Sequence, residues 1–301
     1  MSDVVTTVDD MRARCEAARR RDKIVGVVPT MGFLHEGHRS LMHTARAECG
    51  FVVVTIFVNP LQFGPTEDLD RYPRDLAGDL TACEAEGVDA VFAPAVGELY
   101  PEYPPRTTVH VAGLTDALCG ASRPTHFDGV TTVVAKLLSI VGPCHAYFGR
   151  KDAQQLAVIR RMTADLDLPA TIVGCPLVRE PDGLARSSRN AYLDAEHRAA
   201  APQIFAALRE GVAAVRDGER DPRRVEAIVR AGITARPELR VDYVEARDPD
   251  TIGEIDRIDG RVLLAVAVFC GASRLIDNVV IDVSGGEVTA DLGTGWNPAG
   301  P

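Results

Sequence analysis

The feature that most constrains this chain is an alternation of short β-branched runs with helix-period segments. "KIVGVVPT" (23–30) reads as a buried strand, and 36–49 reads as a helix. "GFVVVTIFV" (50–58) is the next strand, 75–86 a helix and "VDAVFAP" (88–94) a strand. "TTVHVAG" (107–113), "HAYFG" (145–149) and "ATIVG" (170–174) continue the strands, with helices over 128–141 and 152–167. Strands that are apolar along their whole length, separated by helices, require a parallel sheet covered on both faces. In such sheets ligands bind at the carboxyl ends of the strands.

The texture changes near residue 194. Asp194 suits an N-cap for an Ala/Arg/Glu-rich helical stretch to about 217, and a second helix follows Pro222. "RVDYVEARD" (240–248), "RVLLAVAVF" (261–269) and "NVVIDV" (278–283) then read as strands. The expected fold is α/β: a Rossmann-like doubly wound parallel sheet with a smaller C-terminal α+β domain, the boundary falling within 180–193. The Gly/Pro-rich tail after Asp291 is expected to fray.

Length and composition narrow the function. At 301 residues, one large or two medium domains are expected, and 46% apolar residues supply a sizeable core. The net charge of −10 argues against nucleic acid as a partner, because phosphate backbones need basic surfaces. It leaves room for a small phosphate ligand held by local donors. The longest apolar run, "VLLAVAVFC" (262–270), is too short to cross a bilayer, so no membrane is expected. No apolar signal segment opens the sequence. Seven scattered cysteines, none in a C-x-x-C pair, read as reduced thiols of a cytoplasmic protein.

"VVPTMGFLHEGHRSLM" (27–42) sets His35 and His38 three residues apart at a strand-to-helix junction. A zinc protease needs H-E-x-x-H, with ligands four apart on one helix face. Here a glycine intervenes and no third ligand lies near, so zinc is disfavoured. Helix-terminal histidines with satisfied hydrogen bonds are the plain alternative. Against it stands the position, where free backbone N–H groups and the helix dipole favour an anion. No P-loop or G-x-G-x-x-G string is present. The arrangement resembles the H-x-G-H signature of the nucleotidyltransferase superfamily, which includes class I aminoacyl-tRNA synthetases.

Four further stretches carry polar groups. "FVNPLQFGPTEDLDRYPRD" (57–75) is a long loop holding Gln62. "GASRPTHFDGVTTVVAKLL" (120–138) holds Arg123 and His126 before a helix. In "YFGRKDAQQLAVIRRM" (147–162), Gly149 permits a tight turn, and Lys151 is either a point charge for phosphate or half of a solvated Lys-Asp pair. Gln154 and Gln155 are adjacent, so at most one of them faces a pocket. "VREPDGLARSSRNAYL" (178–193) offers Ser187, Ser188 and Arg189, suited to triphosphate oxygens or simply to a polar linker.

Together, PTMGFLHEGH, FVNPLQF with RYPRD, SRPTHFDGV, FGRKDAQQL and DGLARSSRN, in this order, closely resemble the pantothenate synthetase (pantoate–β-alanine ligase) family. "CGASRLIDN" (270–278) is also similar to that family, so the resemblance spans roughly residues 20–285. It implies a ligase that condenses (R)-pantoate with β-alanine through a pantoyl adenylate, using ATP with Mg²⁺ and releasing AMP and diphosphate. Residues 1–184 would form the nucleotide- and pantoate-binding domain, and 185–301 a domain closing over the active site. By matching position, the ATP contacts would be Met31, Gly32, Phe33, Leu34, His35, Glu36, Gly37, His38, Gly149, Arg150, Lys151, Asp152, Val178, Arg186, Ser187, Ser188 and Arg189. His38, His35 and Lys151 would be the catalytic groups. Gln62 and Gln155 would hold pantoate, Gln62 also meeting β-alanine. No protein ligand for Mg²⁺ follows from the sequence. Members of the family are usually homodimers.

Arg150, Ala153 and Arg186 depart from the commonest family residues, and Arg186 lies inside a binding segment. Two other readings compete with the ligase. One is a nucleotidyltransferase whose product keeps the nucleotide. The other is a nucleotide-binding protein without catalysis, which would not need two glutamines for an acid substrate.

Overall fold

The structure, a computed structural model, describes residues 2–64 and 69–295. Residues 65–68 of the 57–75 loop therefore lie outside the described residues. The chain divides into two compact units. One comprises the segments up to Thr115, Gly120–Arg150 and Val158–Cys175; the other comprises Asp116–Cys119, Lys151–Ala157 and the chain from Pro176. These segments are discontinuous, whereas the sequence reading divides the chain once, after residue 184.

The first unit runs β1 (Asp3–Val5), α1 (Val8–Arg19), β2 (Val25–Thr30), α2 (Glu36–Glu48), β3 (Phe51–Ile56), α3 (Leu76–Ala85), β4 (Ala90–Phe92) and α4 (Val96–Leu99). It continues through α5 (Leu118–Ser122), α6 (His126–Val141), β5 (Cys144–Gly149), α7 (Ala153–Asp165) and β6 (Ala170–Cys175), two of these helices crossing the unit boundary. Six strands form one sheet in the order β1-β4-β3-β2-β5-β6, every pairing parallel. The strand order reverses between β2 and β5. The chain winds outward from β2 through β3 to β4, then returns to lay β5 and β6 on the other side. Such a reversal opens a crevice at the carboxyl ends of the two central strands.

Alternation within β2 explains why both faces are covered. Val28 joins the core under α2 with Leu41, Met42, Ala45, Val52, Val54 and Val91. Val27, fully buried, points to the opposite face, where α1 and α6 pack on β2 and on each other. Helix α6 is buried at most of its positions, from Phe127 to Val141.

The sequence reading needs one addition and two corrections. β1 and α1 lie outside the sequence reading; Thr7 caps α1 by accepting the Asp10 N–H, and short β1 adds an edge to the sheet. Segment 107–113 is not a strand. Its β-branched residues suit one, but Val109 spends its backbone on helix hydroxyls: its N–H donates to Thr132 Oγ1 at 3.0 Å and its carbonyl accepts from Thr131. The tail does not fray immediately after Asp291, as shown below.

The second unit contains β7 (Val178–Arg179), α8 (Ala195–Ala200), α9 (Gln203–Arg216), α10 (Pro222–Thr234), β8 (Leu239–Arg247), β9 (Gly260–Cys270), β10 (Ser273–Ser284), β11 (Glu287–Asp291) and β12 (Thr294–Gly295). Asp194 and Asp221 are the N-caps of α8 and α10. Pro202 separates α8 from α9, because proline cannot donate to a helix that continues through it. Strands β11-β10-β9-β8 form an antiparallel sheet on which α9 and α10 pack. The core holds Ile204, Leu208, Val212, Val225, Val229 and Ile233 from the helices against Leu264, Val266, Val279 and Ile281 from the sheet. β12 pairs in parallel with β7, which ties the start of the tail to the 178–179 segment. Residues 296–301 lie outside the described residues.

Candidate active site

The junction after β2 is shaped by two consecutive residues in the left-handed region, Gly32 (φ 83°) and Phe33 (φ 51°). Glycine accepts that conformation without cost, and a Cβ at position 32 would stand 2.9 Å from Asp79 Oδ2. Phe33 has no such freedom, so something must hold it. That group is Asp79 on α3, only 3% exposed. Its Oδ2 accepts the Phe33 N–H at 3.0 Å and its Oδ1 accepts the Leu34 N–H at 2.7 Å. Burial pushes the Asp79 carboxyl above its ordinary value, against the pull of these two donors. Thr30 Oγ1 accepts the Gly32 N–H at 3.1 Å and donates to the Thr55 carbonyl at 2.6 Å.

The turn delivers His35 as the N-cap of α2. His35 Nδ1 accepts the Gly37 N–H at 3.1 Å, and the His35 N–H donates to His38 Nδ1 at 3.3 Å. This is a capping box made by two imidazoles, whose ring centroids lie 4.1 Å apart. Both Nδ1 atoms act as acceptors, so each ring, when neutral, carries its proton on Nε2. The pair thus carries two Nε2–H groups at a helix N-terminus beside the carboxyl end of the central strand. Phosphate oxygens fit such a site.

Gln62 ends a short 3-10 segment, Pro60–Gln62, capped by Asn59. Asn59 is fully buried, and its Nδ2 donates to Gln62 Oε1 at 3.0 Å and to the Gly129 carbonyl at 2.9 Å. Tyr100 donates its hydroxyl to Asn59 Oδ1 at 2.9 Å. With Oε1 fixed as acceptor, the Gln62 amide is turned so that Nε2 is the end available as donor. The Gln62 carbonyl accepts from His126 Nδ1 at 2.8 Å and from Arg123 Nη2 at 3.2 Å. Gly129 lets α6 approach this closely, since a Cβ there would meet the Leu61 carbonyl oxygen at 2.3 Å.

In the second unit, Lys151 is one-fifth exposed, with Nζ 3.7 Å from Asp152 Oδ2. The Gln pair is resolved by burial. Gln154 spends its amide on backbone, accepting the Cys119 N–H at 3.0 Å and donating to the Ala117 carbonyl at 2.8 Å. Gln155 is half-buried. Ser187 caps the 3-10 turn Ser188–Tyr192 by accepting the Arg189 N–H at 3.3 Å. The Arg186 N–H donates to the Val178 carbonyl at 2.9 Å, and its guanidinium stands 3.5 Å from Glu180 Oε1. Glu180 also takes Arg198 at 2.6 Å and the Asn190 amide at 3.0 Å. The Arg186 side chain is thus neither on open solvent nor a lone cation.

Next to Val178, Arg179 is buried and pairs with Asp277 through Nη1 at 2.7 Å and Nη2 at 2.9 Å. Burial raises the Asp277 carboxyl, while the Arg179 guanidinium lowers it. Sequence reasoning does not single out either residue, nor Asn59 or Asp79. Asp79 carries a signal: it lies one helical turn from Cys83, on the inward face of α3, where a carboxylate needs a reason. Gly149 differs from expectation too. Its φ is not among the positive ones, and a Cβ there would meet nothing within 4 Å, so neither a tight turn nor packing demands glycine.

The junction, Met31 to His38, and Gln62 thus fall in the first unit with Gly149 and Arg150, and Lys151, Asp152, Gln155, Val178 and the 186–189 segment fall in the second. Among the described residues, no three His, Cys, Asp or Glu side chains cluster as a metal site. A divalent ion held by protein side chains alone does not fit this set. No helix among the described residues is long and apolar enough to cross a membrane.

The family described as pantoate–β-alanine ligase matches residues 3–280. Over 283 residues the chain is 53% identical to a pantothenate synthetase of Moorella thermoacetica, covering 94% of this chain and 99% of that one. Identity to the Acetivibrio thermocellus pantothenate synthetase is 50% over 281 residues, covering 93% and 99%. Among solved structures, pantothenate synthetase from Thermus thermophilus superposes with a TM-score of 0.86 at 46% identity, covering 92% of this chain and 98% of that one. A pantoate–β-alanine ligase from Francisella tularensis, complexed with beta-gamma ATP and β-alanine, gives a TM-score of 0.75 at 30% identity, over 92% and 97%. By sequence along nearly its whole length and by fold, this chain belongs to the pantoate–β-alanine ligase family.

Proposed function

We propose that this protein condenses (R)-pantoate with β-alanine to pantothenate, using ATP and releasing AMP and diphosphate. The observation that carries the reading is the imidazole capping box: two Nε2–H donors fixed at a helix N-terminus beside the central strand, in a chain of this family. The ATP and β-alanine of the Francisella tularensis complex support the substrate set.

In the first step a pantoate carboxylate oxygen attacks the α-phosphorus, and the bond to the β-phosphate bridging oxygen breaks, releasing diphosphate. No protein nucleophile is needed, so the side chains position reactants and stabilise charge. His38, with His35 beside it, donates from Nε2 to phosphate oxygens as charge builds on them. The backbone and side chains of Met31–His38, Gly149–Asp152 and Val178 contact ATP. Lys151 supplies a cation, and Ser187, Ser188 and Arg189 hold the far phosphates, with Arg186 contributing backbone. Gln62 and Gln155 hold pantoate by their amides. In the second step the β-alanine amine, near Gln62, attacks the acyl carbon, and AMP leaves with the bond electrons. Mg²⁺ enters as part of the MgATP substrate, held by phosphate oxygens and water.

On this reading, residues 1–184 supply the nucleotide and pantoate contacts, His38 and Lys151 among them, and residues 185–301 add Ser187, Ser188 and Arg189 for the far phosphates. The homodimer and the cytoplasmic setting belong to the same proposal, the second supported by seven free thiols. The test is pantoate-dependent exchange of labelled pyrophosphate into ATP, followed by AMP release when β-alanine is added. A product that retains the nucleotide would favour the other nucleotidyltransferase reading. ATP binding without exchange would leave a binding protein.

A further inference from the structure

Lys151 is read above as the cation at the phosphates, and the following rests on that reading. A lysine delivers its charge where its peptide points it. Lys151 lies inside a 3-10 turn of three residues, Arg150–Asp152, a conformation with few backbone bonds of its own to fix it. The group that fixes it comes from far along the chain. Asn278, buried on β10, donates from Nδ2 to the Lys151 carbonyl at 2.8 Å.

Asn278 is itself held. Its N–H donates to Asp277 Oδ1 at 2.7 Å. Asp277 is gripped by both Nη atoms of Arg179, whose Cζ lies 3.6 Å from the centroid of the Phe205 ring. Arg179 also donates from Nη1 to the Gly183 carbonyl at 3.0 Å and from Nε to the Leu292 carbonyl at 2.6 Å. A bidentate pair with a stacked guanidinium leaves little rotational freedom. Val178, the residue before Arg179, accepts the Arg186 N–H that begins the 186–189 segment. One buried ion pair therefore underlies both the Lys151 peptide and the backbone leading to Ser187–Arg189.

We propose that Asn278 is a positioning residue for Lys151: by holding the Lys151 carbonyl, it sets the direction in which the ammonium meets the phosphates. A merely structural asparagine would satisfy a buried carbonyl and do no more.

A double-mutant cycle separates the two roles. Asn278→Ala and Lys151→Ala are made singly and together in the full chain. Each is assayed for pyrophosphate exchange and for the Kd of a β,γ-non-hydrolysable ATP analogue. Asn278→Ala is expected to lower kcat for exchange about 10- to 100-fold, with the KM for pantoate within about twofold. In the Lys151→Ala background the same change should cost less than about threefold, in rate or in analogue affinity. Equal losses in both backgrounds overturn the proposal. So does an unchanged kcat with only a lower Tm. If Asn278→Ala does not fold, Asn278→Ser, a smaller change, carries the same cycle under the same criteria. Should the unsubstituted protein show no exchange, the ligase reading fails, and the analogue-binding cycle still decides the Asn278–Lys151 coupling.

Discussion

The histidine junction and the Lys151 region are held by opposite means. At the end of β2 the cap is local, since His35 and His38 cap each other within four residues, while one carboxylate from α3, Asp79, grips the two N–H groups that precede them. Around Lys151 and the 186–189 segment the anchor is a buried ion pair whose partners stand 98 residues apart. A local device that loses one hydrogen bond loosens. A buried ion pair that loses one partner strands a charge. Loss of the ion pair itself should therefore appear as instability, and loss of the His38 imidazole chiefly as lost chemistry.

Four substitutions probe that contrast. Asp277→Ala leaves Arg179 buried without its carboxylate and should cost about 3–5 kcal/mol of stability. A urea midpoint within error of the unsubstituted protein would show that the pair is not an anchor. His38→Ala should slow adenylate formation by about 3–4 kcal/mol of barrier while the chain still folds, with about 1 kcal/mol of stability lost with the cap. Exchange at a near-normal rate with ATP and pantoate saturating would remove His38 from the mechanism.

Asp79→Asn turns one acceptor of the loop clamp into a donor and should cost about 1–3 kcal/mol. It also has a pH signature. The folded carboxyl sits above its ordinary value of 3.8, so on acidification the folded state takes up a proton before the unfolded chain does. Stability from this group is therefore present below 3.8 and is lost as pH rises through the folded value. The wild type should gain stability relative to Asp79→Asn as pH falls through that window. A difference that shrinks on acidification would contradict the burial argument. The smallest effect is expected from Arg186→Met. Its ion pair with Glu180 is partly exposed, and Arg198 already serves the same carboxylate. The KM for ATP should change by less than about fivefold, roughly 1 kcal/mol. A rise of about thirtyfold that weakens with added salt would make the side chain a direct ATP ligand.

The same contrast explains what the sequence could disclose. The central strands were legible because burial on both faces writes an unbroken apolar run, as in Val25–Val28. The histidine pair was legible because its partners lie three apart. Asp194 was legible as a cap, and Pro222 as a helix start, for the same reason of short range. The Arg179–Asp277 pair was not, since nothing periodic connects two charges on β7 and β10. Asn59 was hidden because its role depends on Tyr100 and Gly129, which only the fold brings to it. Segment 107–113 misled because residue type announced a strand while the threonines of α6 took its hydrogen bonds. Adjacency alone could not rank Gln154 and Gln155; the family resemblance favoured the second, and in the fold the backbone of 117–119 takes the amide of the first.

The cysteines have a practical consequence. Six of the seven are buried, and burial pushes the thiols of Cys15, Cys175 and Cys270 up to about 11 and those of Cys83 and Cys144 up to about 12, with Cys49 also raised. Thiolates attack electrophiles and thiols do not, so these six are silent near neutral pH. Cys119 alone is half-buried, its sulfur within 3.4 Å of Arg274 Nη1 and its N–H held by Gln154. Cys119 is thus the thiol expected to react first. A maleimide fluorophore should attach once per chain without any engineering. It would ride on the segment clamped by Gln154, one residue from the amide assigned to pantoate, and report occupancy there as a change in emission.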